Sequence, residues 1–198
     1  MGRKKLYDPD VLIGKAMELF RDHGYAGTST QMLVEELGVN RYSLYAEFGS
    51  KQELFDLALQ RYDDEVIDRS FGPLERPGAG VAEIRALLEY YGDAGNGPAA
   101  GRGCFLCNTA VEFGPMDPSG GEFVQKYVAR LSDAFRASLS RAKASGHLVS
   151  SADPRAEASF FTASVLGLFV LLRANASAEM VRSAAEVATN HLELLLAE

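Results

Sequence analysis

Cysteine is nearly absent from this chain. Cys104 and Cys107 are the only two in 198 residues, which excludes a disulfide-stapled scaffold. Histidine numbers three. One Cys-x-x-Cys pair supplies two metal ligands, and His147 and His191 lie far from it in sequence, so no metal and no cofactor are expected. Phosphate loops of the GxxxxGK or GxGxxG kind are missing, as is a Gly-x-Ser-x-Gly nucleophile elbow. Positive charge is short, with 20 Lys and Arg against 27 Asp and Glu and a formal net charge of −7. Met1 to Lys5 lead into no apolar segment of the signal-peptide kind. The uncharged run Ser159 to Leu172 is too short for a membrane span and reads as a buried helix. A cytoplasmic chain with no membrane partner is the expectation.

What is present suits a packed protein. Apolar residues make up 47% and charged residues 24%, which argues against disorder and allows a sizeable core. The chain is organised around Thr28 to Lys51, which reads as two short helices and a tight turn. Thr28 with Gln31 offers a capping box for the first helix, and Leu33 and Leu37 share one of its faces. Gly38 suits the left-handed residue that ends it. Asn40 can cap the second helix, whose inner face carries Leu44 and Phe48. Arg41, Tyr42, Ser43 and Tyr45 then point outward. Arg can grip guanine, Ser can bond a base or phosphate, and Tyr can reach phosphate, so this helix suits a DNA major groove. On pattern alone, an ordinary helical hairpin inside an all-α core stays open beside the helix-turn-helix.

The remaining chain reads as helices throughout. Arg3, Lys4 and Lys5 form a basic arm beside the motif, so positive charge sits where DNA binding needs it despite the acidic total; without DNA the arm reads as a solvated terminus. Asp8 and Pro9 start helix one, with the stripe Leu12, Ala16, Leu19 and Phe20 ending at Gly24. Ser50 and Glu53 box the start of a fourth helix running to about Ser70. Residues 72–80 read as a linker, and 92–103 as a mobile loop. Helix five carries Ile84, Leu87, Leu88 and Tyr91. Helix six covers about Cys104 to Phe113, and helix seven carries Phe123 to Leu139 after a break at 117–121. Asp153-Pro154 starts helix eight, and Ser177 caps helix nine with Val181, Ala184, Ala188, Leu192 and Leu195. No strand alternation and no repeat occur. The expected class is all-α with about nine helices: an N-terminal three-helix helix-turn-helix domain over 1–49, then a helical ligand-binding and dimerisation domain over 50–198. Helix eight, apolar nearly all round, fits either a central core helix or a contact with a second chain.

Gly24-Tyr25, Thr28-Ser29-Thr30, Leu37-Gly38-Val39, Ser43-Leu44-Tyr45, Phe48-Gly49-Ser50-Lys51 and Leu54-Phe55, in this order and spacing, resemble the DNA-binding signature of the TetR family of bacterial regulators. The resemblance implies a homodimer paired through helices eight and nine. It implies double-stranded DNA with a near-palindromic operator as partner, and a small-molecule effector. The DNA contacts it implies, together with the arm, are Lys4, Lys5, Thr28, Ser29, Thr30, Arg41, Tyr42, Ser43, Tyr45 and Lys51. Lys51 stands in a first helical turn, where the dipole disfavours a cation, and the matching family lysine contacts the DNA backbone. Glu47 departs from the pattern, because a carboxylate facing DNA costs affinity.

Gly103-Cys104-Phe105-Leu106-Cys107-Asn108 resembles the sixth helix of a subgroup of that family which includes electrophile, oxidant and small-acid sensors. Cys104 at a helix N-terminus is placed for a thiolate, and Cys107 lies one turn on. The residue type also fits inert buried thiols, since free Cys is among the most buried side chains. Asn108 and Glu112 can face a ligand, or be a core amide and a surface carboxylate. Tyr91, Phe105 and Tyr127 are candidate lining residues or plain core. The expectation is a repressor released from its operator by a small-molecule or thiol-reactive signal. The rivals are a helical protein-interaction module without DNA binding and a cysteine-dependent enzyme, the latter lacking a base near Cys104.

Overall fold

A computed structural model describes residues 7–113 and 118–197, with side chains in the second span from 123 onward. The described residues form nine helices and no strand. They are α1 Pro9–Gly27, α2 Thr30–Leu37, α3 Arg41–Phe48, α4 over 51–75, α5 Val81–Asp93, α6 Phe105–Phe113, α7 Pro118–Ala144, α8 Pro154–Arg173 and α9 Ala178–Leu194. α1 to α3 and the first half of α4 make one layer, and α5 to α9 make a larger bundle on the second half of α4. An isolated antiparallel bridge, Leu148 to Leu196, ties the end of the chain to the turn after α7.

Local chemistry sets most helix starts. Asp8 accepts from the Asp10 N–H, Asn40 from Ser43, Ser50 from Glu53, Asp153 from Arg155 and Ser177 from Met180, as their sequence contexts predict. α2 differs. Its cap is Ser29, which accepts from the Met32 N–H. Thr28 is fully buried and donates its hydroxyl to the Gly24 carbonyl at 2.6 Å, so the expected Thr28–Gln31 box does not form.

α4 outruns its expected end near Ser70. It consists of Lys51–Tyr62, a π-turn at Asp63–Ile67 and Asp68–Glu75, with the Asp68 N–H reaching back five residues to the Asp63 carbonyl. Pro73 sits inside its last segment, and the burial of Phe71 and Leu74 holds that turn in place. Arg130 of α7 meets Asp63, Asp68 and Glu75 together at 3.3, 2.5 and 2.6 Å. α7 likewise starts earlier than expected, with Pro118 as its first residue, a position that a missing N–H tolerates.

α8 has the length and composition to cross a membrane; here Ala158, Phe161, Thr162, Val165, Leu168, Phe169 and Leu172 are buried in the bundle. In α9 the buried set is Val181, Ala185, Ala188 and Leu192. Ala185 replaces the expected Ala184, which is exposed.

Candidate functional site

α2 and α3 are joined through Gly38, left-handed at φ 67°, and anchored by Leu33, Leu37, Leu44 and Phe48, all buried. That anchoring leaves the N-terminal end of α3 outermost. Arg41 and Tyr42 are exposed, Tyr42 at 84%, while Ser43 and Tyr45 are half-buried. Tyr45 is braced on both sides. Its hydroxyl shares a 2.9 Å hydrogen bond with Thr30, and the Arg41 guanidinium lies 5.7 Å from its ring centroid. Ser29 is exposed beside this group while its side chain caps α2. The Glu47 carboxylate accepts from the Tyr7 hydroxyl at 3.3 Å, which holds it toward the start of α1. Lys4 and Lys5 lie outside the described residues.

Two expected contacts take other roles. Thr28 leaves the candidate surface, because its side chain is buried and its hydroxyl is occupied. Lys51 turns its ammonium onto the Tyr25 carbonyl at 2.5 Å and over the Tyr25 ring at 4.1 Å. Burial lowers its pKa, against the opposing charges of Glu112 and Tyr45. One of its three protons is therefore engaged within the protein, and a stabilising job exists for it at a position the helix dipole disfavours.

The sensing candidates separate into two groups. Cys104 immediately precedes α6, and its carbonyl accepts from the Asn108 N–H, so it does sit at a helix start. Its thiol is nonetheless buried at 1% exposure, 3.5 Å from the Tyr127 hydroxyl. Burial pushes the Cys104 thiol up, outweighing the hydrogen bonds from Tyr127, Tyr62 and the first-turn N–H groups that oppose it. Cys107 is pushed up to about 12 by burial and by Cys104. Of the two readings of this pair, the structure fits the buried thiols: Cys104 and Cys107 form no disulfide, and burial holds both toward the protonated form. Tyr62 joins this cluster, and Tyr91 stacks edge-on against Phe71 and Phe169.

The second group lies on a cleft of about 400 Å³ between α1, α6 and α8, lined among others by Phe105, Cys107, Asn108, Glu112, Val170 and Arg173. The Asn108 amide donates to the Arg102 carbonyl at 2.7 Å. Glu112 turns to α1, accepting from the Tyr25 and Ala26 N–H groups at 3.0 and 2.6 Å. At the other end of α6, Arg102 pairs with Glu18 and Asp22 of α1 at 2.7 and 2.5 Å. α6 is thus fastened to α1 at both ends.

On the two helices expected to pair with a second copy, the structure shows which positions stay outside the core. Phe160, Ala163, Gly167 and Val170 of α8 are exposed at spacings of three and four, as are Met180, Ala184, Val187 and Leu194 of α9 at spacings of three, four and seven. Phe160 packs on His191 of α9 with centroids 4.5 Å apart, so the two stripes form one apolar face. Its signal in the sequence was a second set of apolar positions off the core stripe.

Comparison with known proteins agrees with this layout. A family described as "Bacterial regulatory proteins, tetR family" matches residues 12–58, and "Tetracyclin repressor-like, C-terminal domain" matches residues 80–188. The chain is 31% identical over 194 residues to an uncharacterized HTH-type transcriptional regulator, YezE, of Bacillus subtilis (strain 168), covering 98% of this chain and 100% of that one. It is 30% identical over 181 residues to the HTH-type transcriptional repressor ComR of Escherichia coli (strain K12), covering 90% and 85%. A cysteine mutant of the TetR family transcriptional regulator CifR, complexed with 26bp double-strand operator DNA, superposes with a TM-score of 0.84 at 25% identity, covering 96% and 98%.

Proposed function

Because the chain belongs to the TetR family of bacterial regulatory proteins, and is a DNA-binding transcriptional regulator rather than an enzyme, we propose that it is a cytoplasmic repressor released from a near-palindromic operator by a small-molecule effector. The observation that carries this reading is the braced outer end of α3. Arg41 and Tyr42 stand exposed above the buried Leu44 and Phe48, and Thr30 and Arg41 hold Tyr45. Such a surface enters a major groove with its base-reading residues already placed. Ser43, Tyr45, Ser29 and Thr30 add polar contacts to bases or phosphate. Lys51, with its two remaining protons, and the arm residues Lys4 and Lys5 add phosphate contacts.

Residues 1–49 form the DNA-binding domain and residues 50–198 the effector and dimerisation domain in this reading. The apolar face of α8 and α9 pairs with the same face of a second copy. A two-fold pair sets the recognition helices about one DNA turn apart. Relatives support the repressor role: ComR is a transcriptional repressor, and CifR is complexed with operator DNA. The effector favours a dimer geometry in which the two α3 helices no longer match successive grooves, which requires unequal affinity for the two states. Burial of both thiols favours a reversible ligand over direct attack by a resting thiolate.

The test is a titration of purified dimer against DNA flanking its own gene and against scrambled DNA, across a salt series. Specific binding at least a hundredfold tighter than scrambled, with a negative salt slope, is the expected outcome. Equal, weak binding to both would leave a protein-interaction module.

A further inference from the structure

α1 is broken at Gly24, whose φ of 72° and ψ of 177° belong to a region open only to glycine. In an unbroken helix the Tyr25 and Ala26 N–H groups would donate to the Arg21 and Asp22 carbonyls, four residues earlier. The break separates these partners, and side chains from the other domain replace both halves. Glu112 of α6 takes the two N–H groups at 3.0 and 2.6 Å. Arg173 of α8 donates to the two carbonyls at 3.2 and 3.4 Å, both from Nη1. A carboxylate and a guanidinium thus stand in for two helical hydrogen bonds, each matched in charge to the backbone groups it meets.

Tyr25 and Ala26 lead from the break into α2, and α3 follows α2 through Gly38. We propose that Glu112 and Arg173 are positioning residues for operator binding: by holding the break in α1 open, they fix the angle at which α2 and α3 meet DNA. Without them the lost bonds between residues 21–22 and 25–26 are the nearest available partners, and α1 straightens. The pair touches no DNA. Its effect falls on the match between two recognition helices and two half-sites. Of the contacts that serve any DNA, only Lys51 lies beside the pair, its ammonium on the Tyr25 carbonyl; the others are left alone. Gly24 fits the same account. A Cβ there would stand 2.7 Å from the Glu112 carboxylate, so the carboxylate closes directly on the glycine.

This inference rests on the proposed operator binding, and the experiment separates the two. Wild type, Glu112→Gln, Arg173→Gln and the double variant are titrated against the operator, against scrambled DNA, and against an operator with one base pair added between half-sites. Circular dichroism and sedimentation first confirm helicity and dimer mass; should Glu112→Gln not fold, Arg173→Gln applies the same test from α8. The expected result is a loss of tenfold or more in operator affinity for each single variant. Scrambled-DNA affinity should stay within twofold, and discrimination against the lengthened operator should be lost. The double variant should lose little more than the weaker-binding single, because either prong alone fails to hold the break. Singles that keep wild-type operator affinity and spacing preference overturn the proposal. Equal losses on operator and scrambled DNA overturn it also, since they mark a merely structural role. A wild type without operator preference overturns both this proposal and the reading beneath it.

Discussion

Cys107 offers the sharpest quantitative test of the sensor helix. Alkylation consumes the thiolate, so a thiol's rate at neutral pH scales with its thiolate fraction. Raising the pKa from the ordinary 9.0 to about 12 lowers that fraction by about a thousandfold, at tenfold per unit. Steric burial at 7% exposure slows attack further. Cys104, at 1% exposure and hydrogen-bonded to Tyr127, should be slower or equal. The assay is iodoacetamide labelling at pH 7.5, read by mass spectrometry at each cysteine, for native protein and for protein in denaturant. Native rates at least a thousandfold below the denatured rate are expected at Cys107, with Cys104 labelled no faster. Label then enters only when the region opens, so its rate should track stability as urea is added below the unfolding midpoint. Native labelling of Cys104 within tenfold of the denatured rate would refute the reasoning. It would mean that the helix start prevails over burial and that a direct thiol switch operates.

Four further outcomes follow from named groups. Cys107 keeps its proton in the folded state up to about pH 12, whereas the unfolded chain releases it near 9. Stability is therefore fully present below pH 9 and falls by about 1.4 kcal/mol per unit above it; Cys104, Tyr62 and Tyr127, all pushed up by burial, act in the same sense. Urea midpoints at pH 8, 9.5 and 10.5 check this, and a flat profile counts against it. Arg41→Ala should weaken operator binding by about 1–3 kcal/mol, or roughly 5- to 150-fold, with the melting temperature unchanged because the side chain is exposed. Leu44→Ala, at 2% exposure, should cost about 2–5 kcal/mol of stability, seen in denaturant unfolding. Val187→Asp, on the outer face of α9 at 64% exposure, should shift sedimentation from dimer to monomer while leaving helicity intact.

The helices were legible wherever one residue decides a local outcome. Asp8, Asn40, Ser50, Asp153 and Ser177 cap as their contexts predict, because a cap is settled within three residues of chain. Thr28 and Ser29 compete for one role, and the choice depends on the Gly24 carbonyl that captures Thr28, a contact that spacing does not show. The end of α4 was hidden for a different reason: Pro73 and the glycine-rich stretch around it signal a stop locally, while burial of Phe71 and Leu74 against other helices overrules that signal. At the site, Cys104 was placed correctly at a helix start, but its pKa follows the burial around it, which sequence reports only after the fold is known. Glu112 and Arg173 stand 61 residues apart and meet at one break in a third helix. Glu112 drew notice only as a candidate for a ligand and Arg173 not at all, because their meeting depends on how three helices pack.

The π-turn in α4 works as a slack link that takes up one extra residue. Leu54, Phe55, Ala58, Leu59 and Tyr62 before it and Ile67, Phe71 and Leu74 after it are all buried, with a step of five from Tyr62 to Ile67 where a regular helix would step four. The wider turn lets the fifth residue stand over the first, so the buried stripe stays on one side of the helix. In a regular helix of the same length the extra residue would turn the second half about 100° against the first. Asp63 and Asp68, also five apart, would then leave the side on which Arg130 gathers them. A hybrid that joins these first helices to a relative's effector domain must therefore keep the turn whole or lose its extra residue with it. Otherwise the two halves of the molecule would be geared together a quarter-turn out of step.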